Sequence, residues 1–451
     1  MYELMTKAIR CGRGASIRIT GLCCWVLFAV LQSAVCLGAA EGAPRSSLFS
    51  ISLEQAKTSA LQRNWDLLAS AAGIEAATAQ RVLASEFPNP VLSLSTAKIN
   101  VDNHGSGTVE GNSVWDRSYD TIAAINQLFE VGGKRRTRQA AAKAGFENAR
   151  ASYHDAIRTL HLAVTKAYVA AVLAEENARI LNQTALTLRQ EASLAEVRLA
   201  AGEISTADKT QIEISAARFE LDARTAKSSA AQARVALDVL LGDPRPTDHF
   251  TLSDNLETLA DLGNPVSVNQ VIANRADIVA AEAALRKAEA DLKLQKLNRI
   301  PDPTLLLQYE HEPPDMPNTI GLGVSLPLPL WNRNRGNIKG AEAARRQASI
   351  ALEKLRAQAA AEIATARLAY TDALERLKDQ RDSIAPKSEH VRKTVAYAYE
   401  KGGSSLLDLL VAERNDNEVR LATAQAASDL AIARAALKAA TSEISDSISK
   451  P

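Results

Sequence analysis

Aromatic residues make up only 4% of this 451-residue chain, and its four cysteines, Cys11, Cys23, Cys24 and Cys36, all lie within residues 1–40. A mature chain starting near Glu41 would have no thiol, which excludes disulfides, thiolate metal sites and cysteine nucleophiles. An excess of one charge is missing too. The 53 Lys and Arg stand against 52 Asp and Glu, and the net charge of +1 offers no basic surplus for a nucleic acid. Apolar runs are too few for a polytopic helical membrane protein, which needs several of about 20 residues. What is abundant is Ala, Leu, Glu, Gln, Lys and Arg. With so few aromatics, that mixture favours long, thin, alanine-packed helices over a bulky aromatic core.

Lys7, Arg10, Arg13 and Arg18 precede an apolar stretch at residues 22–31, and Gly38, Ala39 and Ala40 follow as small residues suited to cleavage. Residues 1–40 read as a secretory signal; an uncleaved single-span anchor is the alternative, and export follows from either. Cys36 as a lipid-carrying first residue fits less well, because Ser33, Ala34 and Val35 lack the large aliphatic residue expected three positions upstream.

Self-similarity organises the rest. The run from Arg198 to Asp208 is matched without gaps by Ala398 to Asp408, with Gly402 standing 200 residues after Gly202. Phe87-Pro88-Asn89-Pro90 is echoed by Ile300-Pro301-Asp302-Pro303, 213 residues later, so the first copy carries about a dozen extra residues, assigned to the polar segment 102–120. Each copy reads in one order. A helix (53–85; 268–298) ends at the Pro-x-Pro, where proline cannot continue it, making Pro88, Pro90, Pro301 and Pro303 the helix-to-strand transitions. Two extended segments follow, then a turn, then a helix of roughly 90 Å (138–200; 339–400). A Gly-containing turn reverses the chain into a shorter helix (206–241; 406–442). The domains so defined are a first repeat at 41–241, a linker at 242–265, a second repeat at 266–445 and a tail at 446–451. Pro386 interrupts the second long helix and should kink it.

From Thr319 to Leu328, apolar residues alternate strictly with small or polar ones, the length and period of a transmembrane β-strand. Residues 304–310, 91–101 and 121–129 alternate less cleanly. A single such segment would suit a soluble hairpin; four in symmetric positions of an exported chain favour the membrane, with Phe129 and Trp331 placed as an interfacial girdle would be. Four strands cannot close a barrel, so the chain must oligomerise, and three copies would supply twelve strands.

Signs of catalysis or metal binding are few. His104, His154, His161, His249, His311 and His390 are scattered, and His154 and His161, seven apart on one helix face, have no third ligand beside them. Glu310-His311-Glu312 with Asp315 reads as a polar loop tip rather than a cation site. No cofactor is expected. Lys134, Arg135, Arg136 and Arg138, with Arg333 and Arg335, read either as a solvated run or as a positive collar near an anionic membrane face.

Together these features resemble the TolC-type outer-membrane efflux factors over residues 52–444. Phe129-Glu-Val-Gly-Gly-Lys-Arg-Arg136 and Leu326-Pro-Leu-Pro-Leu-Trp-Asn-Arg-Asn-Arg-Gly336 look like the cobalt-zinc-cadmium branch of that family. The resemblance implies a mainly α fold with transmembrane β. Coiled-coil hairpins would form a periplasmic tunnel, and four strands per chain would join a homotrimeric twelve-stranded barrel in outer-membrane lipid. It implies a non-enzymatic exit duct for heavy-metal cations, docked on a periplasmic adaptor and an inner-membrane resistance-nodulation-division transporter. Its adaptor-docking tips map to Gly202, Glu203, Ile204 and Ser205, and to Gly402, Gly403, Ser404, Ser405 and Leu406. Its periplasmic gate maps to Asp408, while Val411 stands where a second gate aspartate is often found. Capping of the returning helix or a surface ion pair is the plainer account of Asp408, and of Asp208 in the first copy. Multidrug efflux and type I secretion are the alternative cargoes. A periplasmic adaptor is the rival of another class, disfavoured because its helical hairpin occurs once between β-rich halves. An exported enzyme has no residue constellation to support it.

Overall fold

The computed structural model describes residues 49–97, 120–261, 274–312 and 316–441; the expected signal segment with Cys36, the polar insertion at 102–119, Asp315 and the tail at 446–451 lie outside them. The first repeat runs β1 (Phe49–Ile51), α1 (Leu53–Arg63), α2 (Trp65–Ser85), β2 (Val91–Ala97), β3 (Asp120–Leu128), α3 (Lys134–Ala200) and α4 (Thr206–Leu240). The second runs α6 (Ala276–Leu297), β5 (Thr304–Glu312), β6 (Met316–Ser325), α7 (Arg335–Asp379), α8 (Ala385–Glu400) and α9 (Leu406–Thr441). Between them lie β4 (Phe250–Leu252) and α5 (Leu256–Ala260), inside the segment expected to be a linker. β4 pairs in parallel with β1, so this segment ties the repeats together.

The helix expected over 53–85 is broken at Asn64. Its side chain accepts from the Asp66 and Leu67 amides to cap α2 and donates to the Leu240 carbonyl at 3.0 Å, so a tertiary contact sets the break. At Pro386 the helix widens into a π-helical turn, Gln380–Ile384, immediately before α8. A proline without an N–H cannot close the regular ladder, and a wider turn absorbs the mismatch.

Heptad spacing explains the alanine content. α4 buries Ala216, Ala223, Ala230 and Leu237, and α7 buries Leu352, Ala359, Ala366 and Ala373. A strict seven-residue stripe imposes a left-handed supercoil, and alanine at the seam lets the backbones approach closely. α3 is the spine: at 67 residues it spans about 100 Å and packs along α2, α4, α6 and α9.

The larger side chains gather at one level, where Val164, Tyr168 and Val169 of α3 meet Leu237, Leu53 and Phe250. The Tyr168 hydroxyl donates to the Ile51 carbonyl at 2.8 Å, and burial pushes its pKa up to about 12, so it stays neutral over the physiological range. Gly242 closes α4 at φ +81°, and a Cβ there would lie 2.3 Å from the Arg63 carbonyl oxygen. Backbone on one side and a left-handed conformation on the other make glycine obligatory.

Gly242→Ala is therefore expected to destabilise the fold by more than about 1 kcal/mol. Gly73→Ala, mid-helix with open space at its Cβ, should stabilise it by about 0.5–1 kcal/mol. Thermal unfolding of the two variants checks the contrast; a neutral Gly242→Ala would contradict it.

Candidate functional site

The second sheet is antiparallel in the order β2-β3-β5-β6, built from two strands of each repeat. Its register sorts residues by face. Leu92 faces Ile125, Ile125 faces Leu307 and Leu307 faces Leu322; Leu94, Ala123, Tyr309 and Ile320 form a parallel row. Ile320 is 78% exposed and Leu322 81%. The opposite face is mixed and more polar, carrying Ser93, Ser95, Asn126, Gln308, Glu310 and Thr319 beside Val91, Ile122, Ala124 and Leu306, with Asn126 donating to Ser93 at 3.2 Å. Gly321 and Gly323 lie on that face because the Gln308 and Leu306 side chains lie across them; a Cβ on Gly321 would meet Gln308 at 2.9 Å. Burying a Leu or Ile side chain is worth about 1.5–3 kcal/mol, so a continuous face of them needs an apolar neighbour outside the chain.

Two boundaries differ from expectation. β6 ends at Ser325 rather than 328, since Pro327 and Pro329 cannot donate to a ladder. β5 extends to Glu312 through an irregularity at Glu310 and Glu312. Phe129 and Trp331 lie just beyond the ends of β3 and β6, and Trp331 is 93% exposed.

The helix-to-strand junction removes part of the basic run from solvent. Lys134 is 5% exposed. Its ammonium donates to the Asp302 carboxylate at 2.7 Å and to the Ile300 carbonyl, while the other Asp302 oxygen accepts from the Val131 amide at 2.9 Å. Arg135 donates to the Ser85 carbonyl and stacks 3.8 Å above the Phe87 ring. Arg138 pairs with Glu130 and donates to the Glu86 carbonyl at 3.1 Å. Arg135 and Arg138 satisfy carbonyls that α2 leaves open before its Pro-x-Pro, and Lys134 satisfies the Ile300 carbonyl just after α6; these three are not freely solvated, whereas Arg136, Arg333 and Arg335 are exposed.

At the far end the two tips repeat one construction. Gly202 and Gly402 adopt φ of 74° and 76°. The Glu203 and Gly403 amides reach back to the Arg198 and Ala398 carbonyls at 2.9 and 2.8 Å, and Gly202 and Gly402 donate to Leu199 and Tyr399. This is the Schellman closure, which needs positive φ only at its first glycine, and Gly403 is not left-handed. Ser205 and Ser405 then cap the returning helices through Asp208 and Asp408. Within the chain Asp408 is thus a helix cap, exposed. The Ser405 hydroxyl and amide, with Ser404, hold its carboxyl below the usual aspartate range. Arg198 lies 5.4 Å above the Tyr399 ring, joining the two hairpins near their tips.

Ile204 and Leu406 are half-buried. Leu407, 69% exposed, and Val197 present exposed apolar surface near the tips; a step of about 100° along the helix decides which leucine faces out, and the motif alone does not carry that information. Among the described residues no cluster of His, Cys, Asp and Glu is set to hold a metal. His161 is half-buried, and burial lowers its pKa.

Paired helical hairpins beneath a shared sheet with one apolar face make the architecture of an outer-membrane efflux component. The model of the outer membrane efflux protein family matches residues 57–243 and 267–443, and the chain belongs to that family. The cobalt-zinc-cadmium resistance protein CzcC of Cupriavidus metallidurans is 26% identical over 396 residues, covering 87% of this chain and 90% of that protein. Among solved structures, CusC superposes with a TM-score of 0.73 at 19% identity, covering 90% of this chain and 96% of CusC. VceC of Vibrio cholerae gives 0.70 at 20%, covering 87% and 96%.

Two outcomes follow for the tip. Gly402→Val should accelerate amide exchange at residues 402–409, whereas Gly403→Val, at negative φ, should leave it nearly unchanged. The lowered Asp408 pKa means its cap contributes stability above the unfolded carboxylate pKa, and this is lost as pH falls through the folded value. The protection factor at the residue 408 amide, exchange corrected for its intrinsic pH dependence, should fall in acid in the wild type and be low at all pH values in Asp408→Ala.

Proposed function

We propose that the chain is the outer-membrane duct of a tripartite efflux system, a passive exit conduit assembled as a homotrimer. One observation carries the reading: a four-stranded sheet with an apolar face, a polar face and two open edges, set on two helical hairpins. Three copies close the edges into twelve antiparallel strands, apolar face to lipid and polar face to water. The hairpins join below as a periplasmic tunnel whose tips, at residues 202–205 and 402–406 with Leu407, meet a periplasmic adaptor and through it an inner-membrane transporter. Heavy-metal cations are the proposed cargo, supported by the likeness to CzcC over most of both chains. A single hairpin between β-rich halves, which the adaptor reading requires, is not what these two repeats form.

Asp408 is proposed as the acidic ring of the tunnel's inner end, three carboxylates around a threefold axis that favour cations over anions. Three carboxylates facing one another would raise each other's pKa, and the Ser405 hydrogen bond to Asp408 opposes that rise.

Deleting the gene in its own host, with the adaptor and transporter intact, should sensitise cells to cobalt, zinc or cadmium, and the wild-type copy should restore growth. Sensitivity only to organic drugs would move the assignment to multidrug efflux, and failed peptide export would move it to type I secretion. In planar bilayers multivalent cations should block the wild-type channel, and block should be lost in Asp408→Ala. Identical block in both would remove Asp408 from the gate.

A further inference from the structure

The Lys134–Asp302 junction joins the end of the first repeat's strand pair to the start of the second's, and among the described residues it is formed once although the two repeats present the parts for two. Gly133 and Asn334 are both left-handed N-caps, at φ 77° and 55°, and each is followed by a basic first helical residue, Lys134 in α3 and Arg335 in α7. The connection into α7 is longer, yet it ends on the same cap. On the receiving side, Ile300-Pro301-Asp302-Pro303 corresponds to Phe87-Pro88-Asn89-Pro90. Lys134 is buried against Asp302, with side-chain exposures of 6% and 20%. Arg335 and Asn89, their counterparts, are both exposed.

The strand register says where the missing half lies. Val91 faces Asn126 and Thr304 faces Ser325, which aligns Val91 with Thr304 and Asn126 with Ser325. Within the chain Asn126 faces Leu306, the counterpart of Ser93. Repeating that pairing between copies sets Ser325 opposite Ser93 of the partner subunit, and Val324 opposite the partner subunit's Leu94. The parity is right: apolar residues meet apolar ones and the polar face stays polar. α7 also leaves Ile350 and Leu368 exposed, and α2 leaves Leu68 and Val82 exposed, as facing helices at such a seam would.

We propose that Arg335 completes the second junction between chains, donating to the Phe87 carbonyl of the partner subunit and to the partner subunit's Asn89 side chain, with Ser325 paired opposite the partner's Ser93. This rests on the trimeric reading and specifies its seam. The neutral Asn89 in place of Asp302 makes the inter-chain junction the weaker of the two, so a seam can separate while the chain's own junction stays shut.

Two measurements on detergent-extracted full-length protein test it. Ser93→Cys combined with Ser325→Cys, in a mature chain otherwise without cysteine, should give a covalent trimer on a denaturing gel after oxidation. Ser95→Cys with Ser325→Cys, out of register, should give little. Asn89→Lys and Arg335→Glu should each lower the temperature at which the trimer dissociates, Asn89→Asp should raise it, and the Asn89→Lys, Arg335→Glu double variant should recover toward wild type. A wild-type trimer whose cysteine pair stays uncoupled, or whose two charge changes simply add, overturns the seam and leaves the duct standing. A wild-type monomer overturns both. If the cysteine pair fails to fold, the charge cycle on two exposed residues decides alone.

Discussion

An open sheet edge beside an apolar face is the constraint on which this molecule depends. Among the described residues β2 and β6 are the two edges of the sheet, and in a medium without water every unpaired amide or carbonyl on such an edge costs several kcal/mol. Apolar side chains on one face exclude water as the neighbour, while the unpaired edges exclude lipid as the neighbour of an isolated copy. The closure with other copies proposed above meets both demands together. Because the chain supplies an even number of strands, the last would meet the next copy's first antiparallel, and identical chains would suffice.

The helices transmit that closure inward. Each strand pair is flanked by a helix ending at Pro-x-Pro and by one beginning at a left-handed cap, so strand spacing becomes helix spacing within a few residues. Lys134, Arg135 and Arg138 fix the transition by satisfying helix-end carbonyls across elements far apart in sequence. Below it the coil is set by seams of alanine at seven-residue intervals, as thin a packing as the proposed single-layer tunnel requires. The Schellman closures and Ser–Asp caps then end both hairpins in the same way, a rigid finish that suits the proposed adaptor contact.

Much of this was legible from local chemistry. Pro88, Pro90, Pro301 and Pro303 mark helix ends because proline acts on its own neighbours, and Gly202 and Gly402 mark the tips because a left-handed turn demands glycine. The alternation at 319–325 exposed a strand with two unlike faces. What was not legible depends on residues far apart. Lys134 and Asp302 are 168 positions apart, and before the fold is known the lysine is only one charge in a basic run. Asn64 breaks a helix through the Leu240 carbonyl, and Phe49–Ile51 becomes a strand only when Phe250–Leu252 lies beside it. Which of Leu406 and Leu407 faces outward is a matter of helix phase, set by packing rather than by motif.

The central claim is that the two faces of the β2-β3-β5-β6 sheet meet different media, and spin-label accessibility in lipid vesicles tests it most directly. Labels at Leu94→Cys, Leu307→Cys and Leu322→Cys should collide with dissolved oxygen and be shielded from a water-soluble paramagnetic chelate. Labels at Ser93→Cys and Gln308→Cys should show the reverse. Equal accessibility of the two sets, with every position open to the chelate, would contradict a membrane-spanning sheet and the duct built upon it.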